Sequence, residues 1–199
     1  MSEIRIDRAA QDLLFLEAHT PTMFNDAPVS DQQIREVWEL MKFAPTANNS
    51  NPLRIVVVKS PEARARLMPH MADGNVPKVT SAPVTLILAA DTRFHEYMPE
   101  LAPYAPQAFA QQEARTREER ETTAQFSALL QAGYLILAVR AAGLHAAPML
   151  GFDKAGVDAE FFADGRLSAL FVMSIGECDP DGFRPRSPRL EFDQVVSFL

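Results

Sequence analysis

Cysteine is nearly absent from this chain: Cys178 is the only one in 199 residues. No disulfide can close within the chain and no thiolate cluster can hold a metal, and Cys178 itself reads as a small buried apolar residue. The histidines are few and scattered, at His19, His70, His95 and His145, without the H-E-x-x-H spacing that would place two ligands on one helix face. No metal centre is expected. Basic charge is in deficit, with 19 Lys and Arg against 26 Asp and Glu and a net charge of −7. That removes the broad cationic surface that duplex nucleic acid requires. No run approaches the roughly 18 uninterrupted apolar residues of a membrane span, and no apolar stretch follows the charged N-terminus as a signal peptide would demand. A cytoplasmic protein with no membrane partner is the expectation. The chain also lacks G-x-G-x-x-G, G-x-x-x-x-G-K-[ST] and G-x-S-x-G, which disfavours a Rossmann dinucleotide site, a P-loop and an α/β-hydrolase nucleophile.

With 47% hydrophobic residues, the chain has enough apolar mass for one core, and no linker or repeat divides it, so residues 1–199 read as a single domain. Residues 7–18 read as a first helix. Ser30 and Gln33 form a capping box that opens a second, in which Ile34, Val37, Trp38 and Met41 recur at helical spacing until Pro45 stops it. That spacing assigns Trp38 to the core. Residues 55–58 and 84–90 read as β-branched strands, Ser60-Pro61 starts a helix, and the remaining segment before the second strand reads as loop. Residues 115–121 mix arginine with glutamate as a solvated helix face does. From Phe126 to Ala141 the pattern is apolar nearly all round, as in a central buried helix ending near Gly143. A short helix over 152–162, a strand over 169–175 and a final helix or turn over 190–199 complete an α+β fold, expected as a mixed sheet packed by helices.

Four segments look unlike plain scaffold. Residues 45–54 crowd Pro45, Thr46, Asn48, Asn49 and Asn51 into one helix-to-strand loop, offering paired donors and acceptors suited to the uracil-like edge of a flavin. Asn75 and Lys78 lie three apart in a turn, an amide and an ammonium able to converge on one ring edge, where the cation favours reduction. Residues 147–153 lead through Gly151 into a helix capped by Asp153, allowing backbone to approach a planar ring. Arg184, Arg186 and Arg189 cluster three planar guanidiniums in an otherwise acidic protein, the best candidate phosphate anchor.

With these segments in place, the chain resembles the FMN-dependent nitroreductase family, and within it the malonic semialdehyde reductases of pyrimidine catabolism. The similarity runs along nearly the whole chain and is strongest at residues 38–58, 74–84, 132–144, 148–153 and 188–190. The resemblance implies a homodimer with two FMN sites at the subunit interface, each built from both chains. It places Pro45, Thr46, Ala47, Asn49 and Asn51 beside the cofactor from one subunit. It sets Asn75 and Lys78 on the ring edge and Pro148, Met149, Leu150 and Gly151 over the ring. Arg186 and Arg189 would hold the phosphate, joined by His19 and Thr20 where the family commonly carries an Arg-Ser or Arg-x-Ser pattern. The implied reaction takes hydride from NADH or NADPH at flavin N5 and passes it to 3-oxopropanoate, giving 3-hydroxypropanoate. Arg54, Arg93 and Arg115 are the candidate cations for that substrate's carboxylate. No side chain stands out as a proton donor. A broad nitro, quinone or enone reductase would use the same flavin site, and a non-catalytic flavin-binding protein would share every cofactor residue.

Overall fold

The computed structural model describes residues 4–199. A four-stranded sheet runs β1 (Leu53–Val58), β2 (Val84–Asp91), β4 (Leu167–Gly176), β3 (His145–Met149) in spatial order. All three pairings are antiparallel. The α+β class therefore holds while the expected mixture of strand directions does not, because every connection between paired strands returns to the end where it can run antiparallel. β2 is buried along its whole length and β4 nearly so, which accounts for their unbroken apolar runs.

Local rules explain most of the helices. The first is a short turn, α1 (Arg8–Gln11), capped by Asp7 and continued by a π-helical turn over Asp12–Leu16. α2 (Asp31–Met41) begins at the Ser30–Gln33 capping box with both reciprocal bonds made. α3 (Pro61–Leu67) starts at the Ser60 cap with proline in its first turn, where a missing N–H costs nothing. α4 (Val76–Ser81) lies where the sequence suggested only loop, and α5 (Met98–Leu101) and α6 (Pro106–Glu113) fill the excursion after β2. α7 (Arg117–Ala141) begins nine residues before the apolar pattern does, at a Thr116–Glu119 capping box. Its charged first turns are the solvated face expected for residues 115–121. α8 (Lys154–Phe161) follows the Asp153 cap, and α9 (Phe192–Val195) is a short turn near the C-terminus.

α7 packs on α2 and on β1 and β2, burying Ala124, Ala128, Ala132, Leu135 and Val139 in the main core with Leu86 and Leu88. By length and composition it is the one helix among the described residues apolar enough to cross a membrane, and its inner face is occupied by the sheet. The outer face is not: Phe126 is 67% exposed and Leu129 51%. Trp38 departs from expectation as well, being 45% exposed, because α2 turns Val37 and Met41 inward and leaves the indole outside. Cys178 is only half-buried, and burial with Asp179 and Asp181 nearby pushes its thiol pKa up.

Candidate functional site

Two of the four segments meet on one side of the sheet. Asn75 sits at the start of α4 without using its side chain as a cap, which frees the amide. Its Nδ2 donates to the Gly151 carbonyl at 3.0 Å, and its Oδ1 accepts from Lys78 Nζ at 3.2 Å. The Ala72 N–H also donates to the Gly151 carbonyl. A Cβ on residue 151 would stand 2.8 Å from Asn75 Nδ2 and 3.3 Å from Ala72 Cβ. Only glycine lets these two stretches close on each other. The stretch before Gly151 is strand β3 rather than loop. Its alternation buries Met149 in the second core cluster, leaves Pro148 facing outward, and is followed by an 80% exposed Leu150. Met149 thus offers a ligand its backbone and not its side chain.

The third segment folds back onto the N-terminal region. Arg186 Nη2 donates to the Ala18 carbonyl at 2.9 Å, and Arg189 Nη1 donates to Ser187 and Pro188 carbonyls. The result is a cleft of about 460 Å³ lined by His19, Thr20, Pro148, Arg186 and Arg189, and also by Arg140 and Arg184. Among the described residues four guanidiniums and no carboxylate line it, an arrangement that calls for an anion. A second cavity of about 600 Å³, lined by Gly74, Pro77 and Lys78, shares Thr20 and Arg184 with the first. The two cavities adjoin along that shared rim to make one groove, cationic at one end and carrying Lys78 at the other. Asn75, Met149, Leu150 and Gly151 line neither cavity, the Asn75 amide being turned onto the Gly151 carbonyl.

Arg140 is the residue that sequence reasoning missed. It is only 7% exposed, its Nε donates to the Leu13 carbonyl at 3.2 Å, and it has no carboxylate partner among the described residues. Burial first and then the Arg186 charge lower its pKa. It also stands 3.4 Å from His145 Nδ1. Burial, Arg140 and His19 together push the His145 pKa down to about 4, so that imidazole is neutral at pH 7. The Phe183 ring lies between the two histidines, stacked on His19 at 5.2 Å and tilted against His145 at 5.1 Å. A guanidinium from the end of α7 thus reaches the same cleft as the imidazole of His19. Its signal in the sequence was a lone cation at the end of an apolar helix, which ordinary macrodipole pairing already explains.

The 45–51 loop lies elsewhere. Asn48, Asn49 and Asn51 all adopt positive φ, at 51°, 52° and 43°, a conformation that asparagine tolerates better than most residues. The loop is pinned to its own subunit. Ser127 Oγ accepts from the Ala47 N–H, and Gln131 Oε1 accepts from the Leu53 N–H while its Nε2 donates to Asn51 Oδ1. Asn51 Nδ2 donates to Asn49, the Thr46 hydroxyl accepts from the Asn51 N–H, and Asn49 Nδ2 donates to the Leu101 carbonyl. Pro45, Thr46, Ala47, Asn49 and Asn51 line neither cavity of the groove. Nor do the three candidate carboxylate binders, and Arg54 is committed to Asp91 at 2.8 Å.

Residues 19–177 match the model of the nitroreductase family. The chain belongs to the nitroreductase family. A Streptomyces griseus protein provisionally named an NADH dehydrogenase/NAD(P)H nitroreductase is 50% identical over 196 residues, covering 96% of this chain and 97% of its own. Among solved structures, a nitroreductase family protein from Streptococcus pneumoniae superposes with a TM-score of 0.81 at 26% identity, covering 93% of this chain and all of that one. An Exiguobacterium sibiricum protein solved in complex with FMN and provisionally named a nitroreductase has a TM-score of 0.82 at 18% identity, with full coverage of both chains. The nitroreductase fold thus accounts for the sheet order and the long α7 that carries Arg140 into the cleft.

Proposed function

We propose that this nitroreductase family member is an FMN-dependent NAD(P)H oxidoreductase. The arginine-lined cleft carries the reading: its guanidiniums, with no carboxylate among the described residues, suit a phosphate. Lys78 in the adjoining cavity, with Asn75 and Gly151 bonded behind it, suits the polar edge of a planar ring. Arg140, Arg186 and Arg189, with His19 and Thr20, would hold the phosphate. Asn75 and Lys78 would face the ring edge, and Pro148 to Gly151 would pass beside it. Bound FMN supplies the hydride chemistry, accepting from NADH or NADPH and delivering to a second substrate. The protein's contribution is binding, orientation and the fixed charge of Lys78.

A homodimer completes the site in this reading. Exposed Trp38 and Phe43 on and just after α2, with Phe126, Leu129 and Tyr134 on α7, make an apolar surface of the kind that marks protein contact. The 45–51 loop is hydrogen-bonded to that same helix, so a second copy seated there receives the loop across the interface.

Two substrates compete. The malonic semialdehyde reductase resemblance points to 3-oxopropanoate, whereas the names of the relatives favour a broad nitro reductase. Comparing kcat/KM for 3-oxopropanoate, a nitroaromatic and a quinone separates them. A tenfold preference, about 1.4 kcal/mol in transition-state binding, for either of the latter retires the aldehyde.

The cofactor itself is tested more simply. Purified protein incubated with FMN should retain yellow colour through gel filtration and bleach on anaerobic mixing with NADPH; a colourless protein sinks the proposal, and a yellow one that never bleaches is a carrier. Lys78→Ala should slow bleaching by roughly tenfold or more, as loss of one charge-stabilising donor does, while changing FMN retention less. Equal losses in both would show that Lys78 is merely a binding residue.

A further inference from the structure

Four arginines that the groove does not use gather at the other end of α7. We infer a second anion-binding site there, fitted to a phosphoryl group of about diphosphate size. The cavity, about 230 Å³, is lined by Arg93, Arg117, Arg120 and Arg166 with the 164–165 turn. Arg117 and Arg140 are 23 residues apart on one helix, roughly 34 Å at 1.5 Å per residue, so one ligand phosphate cannot serve both places in a subunit.

The distribution of partners argues for a ligand. Arg166 is already neutralised, bonding Asp91 through Nε and Nη2 and Glu96 through Nη1. Arg120 is held by main-chain carbonyls alone: Nε donates to Thr92 at 3.2 Å, and Nη1 to Gln112 and Arg115. Those bonds fix the guanidinium without cancelling its charge and leave its Nη2 hydrogens unspent. Arg93 has only Glu96, at 3.8 Å. Arg117 makes no hydrogen bond or ion pair among the described residues. Its guanidinium nonetheless sits over the 164–166 turn, 3.7 Å from where a Gly165 Cβ would be. Asp164 is the single carboxylate lining the cavity, and its Oδ1 already accepts the Arg166 N–H at 3.0 Å. Glu118 and Glu119 in the first turn already suit the positive end of α7, yet four guanidiniums, the exposed Arg93 and Arg117 among them, gather around one cavity in a chain of net charge −7. An oxyanion relieves that crowding of like charge by taking the fork of Arg117 and the free edge of Arg120 together.

Calorimetric titration of inorganic pyrophosphate into FMN-saturated protein, in buffer without phosphate, tests the site. One saturable event per chain is expected. Arg117→Gln combined with Arg93→Gln, neither of which removes a side-chain bond to main chain, should weaken it by roughly tenfold or more, and Lys59→Gln, at a cation that lines neither site, should leave it unchanged. ADP binding more tightly than pyrophosphate identifies a nucleotide as the source of the phosphoryl group, and equal or weaker binding identifies the free anion. No heat of binding, or binding undiminished in the Arg117/Arg93 variant, overturns the inference.

Discussion

Asp91→Ala should cost roughly 3–5 kcal/mol of folding stability, the usual penalty for removing one partner of a buried ion pair. Asp91 ends β2 with no exposed surface, and both its oxygens are used. Oδ2 accepts from Arg54 Nη2 at 2.8 Å and Arg166 Nη2 at 3.1 Å, and Oδ1 accepts from the Arg93 main-chain N–H at 2.9 Å. Removing the carboxylate leaves Arg54 with main-chain carbonyls alone and Arg166 with Glu96 alone, both guanidiniums lying over Tyr97 at 5.2 and 5.6 Å from its ring centroid. These guanidiniums are 31% and 23% exposed and regain some water, which places the loss in the lower half of the range. At roughly 2–4 °C per kcal/mol for a protein of this size, Tm falls by about 6–16 °C. Urea denaturation of the FMN-free protein measures the effect directly. Asp91→Asn keeps the shape but not the charge and should lose less. A change below about 1 kcal/mol in Asp91→Ala would mean that the pairs are not coupled to folding.

Arg140→Met should act with opposite signs on two readouts. Arg140 is a buried cation facing Arg186 and His145 with no carboxylate bonded to it among the described residues, and the Glu17 charge offsets only part of its desolvation. Replacing it by an apolar side chain of similar length should leave the stability of the FMN-free protein unchanged or raise it. FMN affinity should fall by roughly ten- to a hundredfold, the loss expected for a charged hydrogen bond of about 1.5–3 kcal/mol. Fluorescence titration of FMN and thermal unfolding without FMN give the two numbers. If stability drops in step with affinity, Arg140 holds the Leu13 turn in place and is not a ligand of the phosphate.

Features written within a few residues of each other were legible from the chain. The Ser30–Gln33 capping box, the Ser60-Pro61 start and the Asp153 cap each depend on a side chain reaching a backbone N–H three positions on, and each opens a helix in the structure. Unbroken apolar runs placed β1, β2 and β4, and apolar helical spacing placed most of α7, because each pattern is written within one segment. The amide-rich loop, Asn75 with Lys78, and the Arg186–Arg189 pair were visible as chemistry concentrated in one stretch. Thr116–Glu119 was equally local, but it lay inside a charge run that drew attention to the solvent face instead of the helix start.

Helical spacing gave Trp38 an inward face, and only the packing of α2 on α7 showed that Val37 and Met41 fill it. β3 was hidden because a five-residue edge strand containing Pro148 has no pattern of its own; its partner β4 defines it. Arg140 meets Arg186 across 46 residues of chain, and Asp91 gathers Arg54 and Arg166 from two neighbouring strands or their ends. Such pairings follow from sheet order and helix placement, which carry no local period. The same holds for the separation of the 45–51 loop from the groove. Capping and periodicity are properties of a segment, whereas the charge balance of a cleft is a property of the whole fold.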